Sequence, residues 1–343
     1  MGSQRSYSFV FAIIVLALLL AFLLNVSSGS VNIPFTAVLS GMFGGHMEVE
    51  SWNYILWNYR MPKAFSSILV GGGLSLSGLL MQTLFRNPLA GPFVLGISSG
   101  ASLGAALLLM GTSMITGFTV MPFLNDVSLV IAASLGSFLV LLVVLLVANR
   151  IKDTMALLII GLMFGSITSA IVSVLAYFTT AENLQRFVFW SFGSVGNLSS
   201  RQVALMGAIV GLGVLLSIVS IKRLNAFLLG ENYAQSLGIS LKRSRLTIII
   251  ATGILAGGVT AFAGPIAFVG LAVPHLTRQI FDTMEHRILI PAVFLYGAIL
   301  MLLCDVIAQL PNSANILPIN AITSLVGAPV VIWLLVRKRK MLF

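Results

Sequence analysis

The feature that most constrains this chain is a succession of long apolar runs separated by short polar punctuation, repeated between residues 7 and 336. A hydrocarbon core about 30 Å thick needs about 20 apolar residues per helical crossing, so each such run predicts a membrane span. Only 8% of the residues are charged and 58% are apolar, whereas an average soluble domain is about a quarter charged. A water-soluble surface cannot be made from that composition. The expected fold is an all-α polytopic membrane protein, one transmembrane domain over residues 1–343.

Ten helices are predicted, at 7–26, 64–85, 93–110, 127–148, 155–179, 203–221, 246–262, 265–280, 288–310 and 319–336. The first is read as a retained helix, because it is long for a signal segment and no small-residue cleavage site follows it. Met1-Gly2 with Ser6 fits a myristoylation pattern that adds nothing to a chain already in lipid. A single cysteine, Cys304, excludes an internal disulfide.

An even number of crossings puts both termini on one side, and the basic residues test that placement. Fifteen of the nineteen fall on the N-terminal side, among them Arg5, Arg86, Lys152, Lys222, Arg245, Arg287 and the Arg337 to Lys340 cluster. Only Arg60, Lys63, Arg186 and Arg201 fall opposite. Because cytoplasmic loops carry the excess of Lys and Arg, the N-terminal side is read as cytoplasmic. The net charge of +10 is then topology, and no nucleic-acid partner is expected.

Three connections are long. The outer segment 27–63 carries Trp52, Tyr54, Trp57 and Tyr59, rings suited to the lipid headgroup level. The outer segment 181–202 reads as a short interfacial helix. The inner segment 222–245 has helical patterning broken at Gly230 and Gly238, which predicts two short surface helices. A Gly-Pro step opens the third and eighth helices, Gly91-Pro92 and Gly264-Pro265, and glycine clusters mark the second and seventh. Because the second helix starts outside and the seventh inside, such a repeat would be inverted, as in many transporters.

Glycines inside the spans, from Gly71 to Gly258, read first as close-packing positions. The fifth helix, with Gly161, Gly165, Ser166, Thr168 and Ser169, is the best candidate for the wall of a pathway. Ionisable groups at membrane depth are functional by default, yet His275 and Asp305 are the only candidates, both near helix ends. That scarcity argues against proton or sodium coupling. No G-x-x-x-x-G-K-[ST] loop is present to hold a nucleotide. An intramembrane enzyme would need a nucleophile with its base, a carboxylate pair or metal ligands, and His46, His275 and His286 are too scattered to supply them. A channel filter is likewise missing. Energy for transport must then come from elsewhere, and a separate ATPase is its natural supply.

Four stretches carry a resemblance: RMPKAFSSILVGGGLSLSGLLMQTLFRNPLAGPFVLGISSGASLG from Arg60, LNAFLLGENYAQSLGISLKRSR from Leu224, GPIAFVGLAVPHLTR from Gly264 and LPINAITSLVGAPVVIWLL from Leu317. They are similar to permease subunits of type II ABC importers, the FecCD type that handles iron siderophores, haem, cobalamin and some oxyanions. The resemblance implies a bacterial or archaeal cytoplasmic membrane and two permeases side by side as a homodimer. It further implies two ATP-binding cassette subunits beneath, which hold the ATP and Mg, and a solute-binding protein outside, with no cofactor in this chain. A ferric siderophore is the expected solute, with haem or cobalamin as the alternative.

By the same resemblance, Gly230, Glu231, Ala234, Leu237 and Gly238 form the segment that couples to the ATPase. Arg60 and Lys63 match an outward basic pair that receives the binding protein, although Lys63 stands where Arg is more usual. Gln309 occupies the place of a third outward Arg. Asn320, in Pro318-Ile319-Asn320, replaces the glycine of a Pro-x-Gly. Asn87, Pro88 and Leu89 match a cytoplasmic constriction, with Gly161, Gly165, Ser166 and Ser169 opposite. From the residues alone, Pro88 reads equally as a turn that stops the second helix.

Overall fold

A computed structural model describes residues 7–45, 47, 49–111, 126–148, 150–151, 154–309 and 316–336. Arg5, His46, Lys152, Leu310 and the 337–340 cluster lie outside the described residues. Among those described, every regular element is helical, and a single isolated bridge joins Gln309 to Ile316.

The chain opens with α1 (Ser8–Ser27), and the connection that follows carries the short α2 (Phe35–Met42). Next comes α3 (Glu50–Ile55), which passes through a wide π-type turn (Leu56–Arg60) directly into α4 (Met61–Phe85). These last three form one continuous helix of 36 residues, Glu50–Phe85. A 3₁₀ turn (Pro92–Leu95) leads to α5 (Ile97–Ala106), followed by α6 (Asp126–Ala148), α7 (Thr154–Phe178), the short α8 (Ala181–Ser191) and α9 (Ser200–Val219). Two surface helices, α10 (Ile221–Leu228) and α11 (Glu231–Ser236), precede α12 (Leu241–Ala263), α13 (Val269–Phe281), α14 (His286–Ala308) and α15 (Ile319–Val336).

Seven of these helices are long and apolar enough to span a bilayer, and Ile97–Gly111 and Ile319–Trp333 are shorter apolar helices. With α13, of 13 residues, they coincide with the ten predicted runs. Two boundaries are corrected. The second helix starts at Glu50 rather than 64, because the wide turn over Leu56–Arg60 relieves the clash that Pro62 would otherwise make with the carbonyl four residues earlier. The eighth starts late: Gly264 (φ 74°) and Phe268 (φ 65°) are left-handed and hold the intervening chain out of the helix.

The core is built on α4, whose most apolar stretch is 83% buried. It packs along α14, α13, α12 and α9. Small residues permit this, since packing rather than hydrophobicity holds helices together in lipid. A Cβ at Gly78 would fall on the Gly270 carbonyl of α13, and one at Gly71 on the Gly297 carbonyl of α14. The second half repeats the scheme: α12 packs along α6 much as α4 packs along α14. The seventh helix thus meets the fourth as the second meets the ninth.

Candidate coupling and translocation site

The 222–245 segment folds into the two short helices that its patterning predicts. In α10, Leu224 and Phe227 are fully buried and anchor the segment to the bundle. Gly230 (φ 103°) and Gly238 (φ 78°) take the left-handed conformations that bracket α11. Ala234 faces inward with no exposed surface, and the Glu231 carboxylate pairs with Arg245 on α12, Oε2 to Nη2 at 2.6 Å. Leu237 points outward. The resemblance missed Leu229 and Tyr233, which are exposed with Leu237 at four-residue intervals. Leu229 closes α10 and Leu237 closes α11, so the break at Gly230 separates Leu229 from the other two along the chain.

Beneath this surface lies a polar cluster. Asn225 of α10 donates through Nδ2 to Glu285 Oε1 at 3.3 Å. Its Oδ1 accepts from the His286 backbone N–H at 3.0 Å and faces His286 Nδ1 at 2.7 Å. The opposite ring nitrogen of His286 lies 2.9 Å from Thr83 Oγ1 near the end of α4. The adjacent Gln82 donates to the Leu271 carbonyl at 3.1 Å and accepts from Arg278 Nη1 at 3.0 Å, both on α13. From α13, His275 Nε2 holds the Pro88 carbonyl at 2.6 Å. The turn itself is closed by Asn87, whose Oδ1 accepts from the Leu89 N–H at 2.9 Å. Arg86 ends α4 in a left-handed conformation, and Leu89 is exposed. Of these residues the sequence singled out Asn87, Pro88, Leu89 and His275. His286 is at a helix end, as its place in the sequence suggests, and is the fully buried first residue of α14.

The fifth helix does not present its small residues as one wall. Gly161 is packed on the 3₁₀ turn, where an added Cβ would meet the Val94 carbonyl. Gly165 is half-buried near Ser99. Ser166 and Ser169 are exposed, and the Ser166 hydroxyl donates back to the Leu162 carbonyl at 3.2 Å. Large apolar side chains stand exposed beside them, Leu162 and Met163 among these.

At the opposite end, the expected basic pair is not displayed as free outward charge. Arg60, 4% exposed, donates to the Val26 and Ser27 carbonyls at 2.9 Å each and also to the Val31 carbonyl. It thereby satisfies the carbonyls that α1 leaves open at its C-terminus. Lys63 Nζ lies 3.3 Å from Asp305 Oδ2, which also accepts from Asn25 Nδ2 at 2.7 Å and Gln309 Nε2 at 2.8 Å. Buried charge is tolerated only when paired and hydrogen-bonded, so these residues tie α1, α4 and α14 together. Gln309 is thus turned onto Asp305 and buried. Asn320 also acquires a role: its Oδ1 accepts from the Ala267 N–H at 3.0 Å and its N–H donates to the Phe192 carbonyl at 3.2 Å. The side chain pins the start of α15 to the strained segment before α13.

This arrangement of helices and surface segment can be compared with known proteins. The model of the FecCD transport family matches residues 17–337. The chain belongs to the FecCD transport family. Among FecCD-type relatives, the vitamin B12 import system permease protein of Klebsiella pneumoniae subsp. pneumoniae is 36% identical, over 98% of this chain and 96% of that protein. That of Salmonella typhi is 37% identical, over 83% and 84%. A solved metal-chelate type ABC transporter in an inward-facing conformation superposes with a TM-score of 0.83 and 29% identity, covering 97% of this chain and 100% of that one. PsaBC from Streptococcus pneumoniae, at a TM-score of 0.52 and 16% identity, shares the fold alone. As a FecCD member the chain is the multi-pass permease subunit of an ABC importer of bulky substrates, a transport component rather than an enzyme. Such permeases work with ATPase and binding-protein partners.

Proposed function

We propose that this chain carries a large metal chelate inward across a bacterial inner membrane, with cobalamin the favoured solute. The observation that carries the transport reading is the exposed Leu229, Tyr233 and Leu237 ridge, set on a segment fixed from behind by Ala234 and the Glu231 to Arg245 pair. A firmly backed apolar ridge at the inner surface suits attachment of an ATPase, which supplies ATP and Mg while this chain holds neither. The 15-to-4 division of basic residues supports cytoplasmic termini and therefore this placement of the ridge.

A second permease, most simply an identical copy, stands beside this one in this reading, with Ser166 and Ser169 of α7 facing a shared passage. In this reading the Asn87 to Leu89 turn forms the inner constriction. Cobalamin is favoured because the relatives with 36–37% identity are vitamin B12 permeases. A ferric siderophore, implied by the motif resemblance, is the second reading, and both solutes are bulky metal chelates.

The test is solute-stimulated ATP hydrolysis and uptake by the complete complex in proteoliposomes. Cobalamin, a ferric siderophore and haem are presented in turn on their binding proteins. Cobalamin should stimulate. Response to the ferric siderophore alone would move the assignment to the second reading, and response to none of the three would overturn the metal-chelate class.

A further inference from the structure

The geometry points to His286 as a positioning residue that links movement of the surface segment to the turn at Asn87, Pro88 and Leu89. This rests on reading the Leu229 to Leu237 ridge as the ATPase attachment.

Three elements meet at the imidazole of His286. On one side is Asn225, whose amide orientation is fixed because Nδ2 is given to Glu285. Its oxygen must therefore accept, and it takes both the backbone N–H and the Nδ1–H of His286. That leaves Nε2 to face the Thr83 hydroxyl at 2.9 Å, which also lies 2.9 Å from the Leu79 carbonyl. Both His286 and Thr83 have no exposed surface, so water cannot substitute for a lost partner.

Position makes this more than local satisfaction. Asn225 lies four residues before Leu229, on the helix that leads into the ridge. Thr83 lies three residues before Arg86, where α4 ends, and four before Asn87. A shift of α10 therefore pulls on His286 through one hydrogen bond to its ring and one to its backbone N–H, and the ring pulls on the end of the helix that carries the turn. A second route runs from Gln82 to Leu271 and Arg278 on α13, and His275 of that helix returns to the Pro88 carbonyl. The turn is thus held from both sides by groups that trace back to neighbouring residues, Gln82 and Thr83. Packing of apolar side chains at the same place would hold the helices together without dictating direction. Oriented hydrogen bonds do both.

The experiment uses the complete complex in proteoliposomes with a fluorescent label on Leu89→Cys. It reads solute moved per ATP hydrolysed and the label's response to nucleotide. His286→Ala should leave ATPase association and basal hydrolysis within about two-fold, while solute per ATP falls about five-fold or more and the label's response is lost. His286→Gln, which keeps a donor and an acceptor, should retain most of both. Asn225→Leu cuts the same link from the surface side and should reproduce the loss, so it decides the matter if His286→Ala fails to assemble. An assembled variant of either residue with unchanged ratio and label response would overturn the assignment. The underlying reading is checked separately by Tyr233→Asp. If that change leaves the ATPase bound, the attachment is elsewhere. If it releases the ATPase while the His286 and Asn225 variants behave like the parent, only the linkage fails.

Discussion

The helices α4 and α7 have similar compositions and opposite surroundings. Both mix glycine and serine among apolar residues over 25 positions, yet α4 is buried and α7 is mostly bare. Glycines on α4 meet backbone carbonyls of other helices, at Gly270 and Gly297, whereas only Gly161 on α7 meets one, at Val94. The same small residues therefore do two jobs. In α4 they remove bulk so that helices touch, and at Ser166 and Ser169 of α7 they are small exposed positions among larger apolar side chains.

The contrast breaks or sharpens under substitution. The largest effect is expected from Gly78→Val, which drives its Cβ into the Gly270 carbonyl. A loss of about 3 kcal/mol or more should appear as failure to give a monodisperse complex in detergent. Next is Lys63→Met at the outer part of α4, which leaves the Asp305 carboxylate buried without its cation. A cost of about 3 kcal/mol is expected, seen as a lower unfolding temperature, and Lys63→Met with Asp305→Leu should recover most of it. A smaller loss, about 1 kcal/mol, is expected for Gly161→Ala, because the 3₁₀ turn beside it can give more readily than a second helix. Smallest in stability is Ser166→Trp, within about 0.5 kcal/mol. Uptake should nonetheless drop at least about ten-fold, because the ring would fill the face that solute slides along. If Ser166→Trp proved as disruptive as Gly78→Val, α7 would be a packing helix and the distinction would fail.

Much of this architecture is legible in the sequence because membrane spans are read from length and apolarity, and ten runs give ten helical segments. The surface helices were legible for a different reason: Gly230 and Gly238 punctuate an otherwise helical pattern. Boundaries were harder where a local device overrode the usual rule, as with the wide turn that carries a helix through Pro62. The polar clusters were largely hidden. Nothing near Asn225 or His286 in the chain announces that they meet Thr83, because those contacts join residues 203 and 61 positions apart. At Arg60 and Lys63 the sequence shows two basic residues near a helix end but not the carbonyls and the carboxylate that close around them.

The unbroken helix from Glu50 to Phe85 has a consequence for the outer surface. Its 36 residues amount to about 54 Å at 1.5 Å each, well beyond the roughly 30 Å of a hydrocarbon core. Even if tilted, such a rod must project past the acyl chains. With the α1 terminus clasped by Arg60, the projecting part is braced like a mast by a stay. The rod has a length set by the chain, so a thinner or thicker bilayer changes only how much of it stands clear of the lipid.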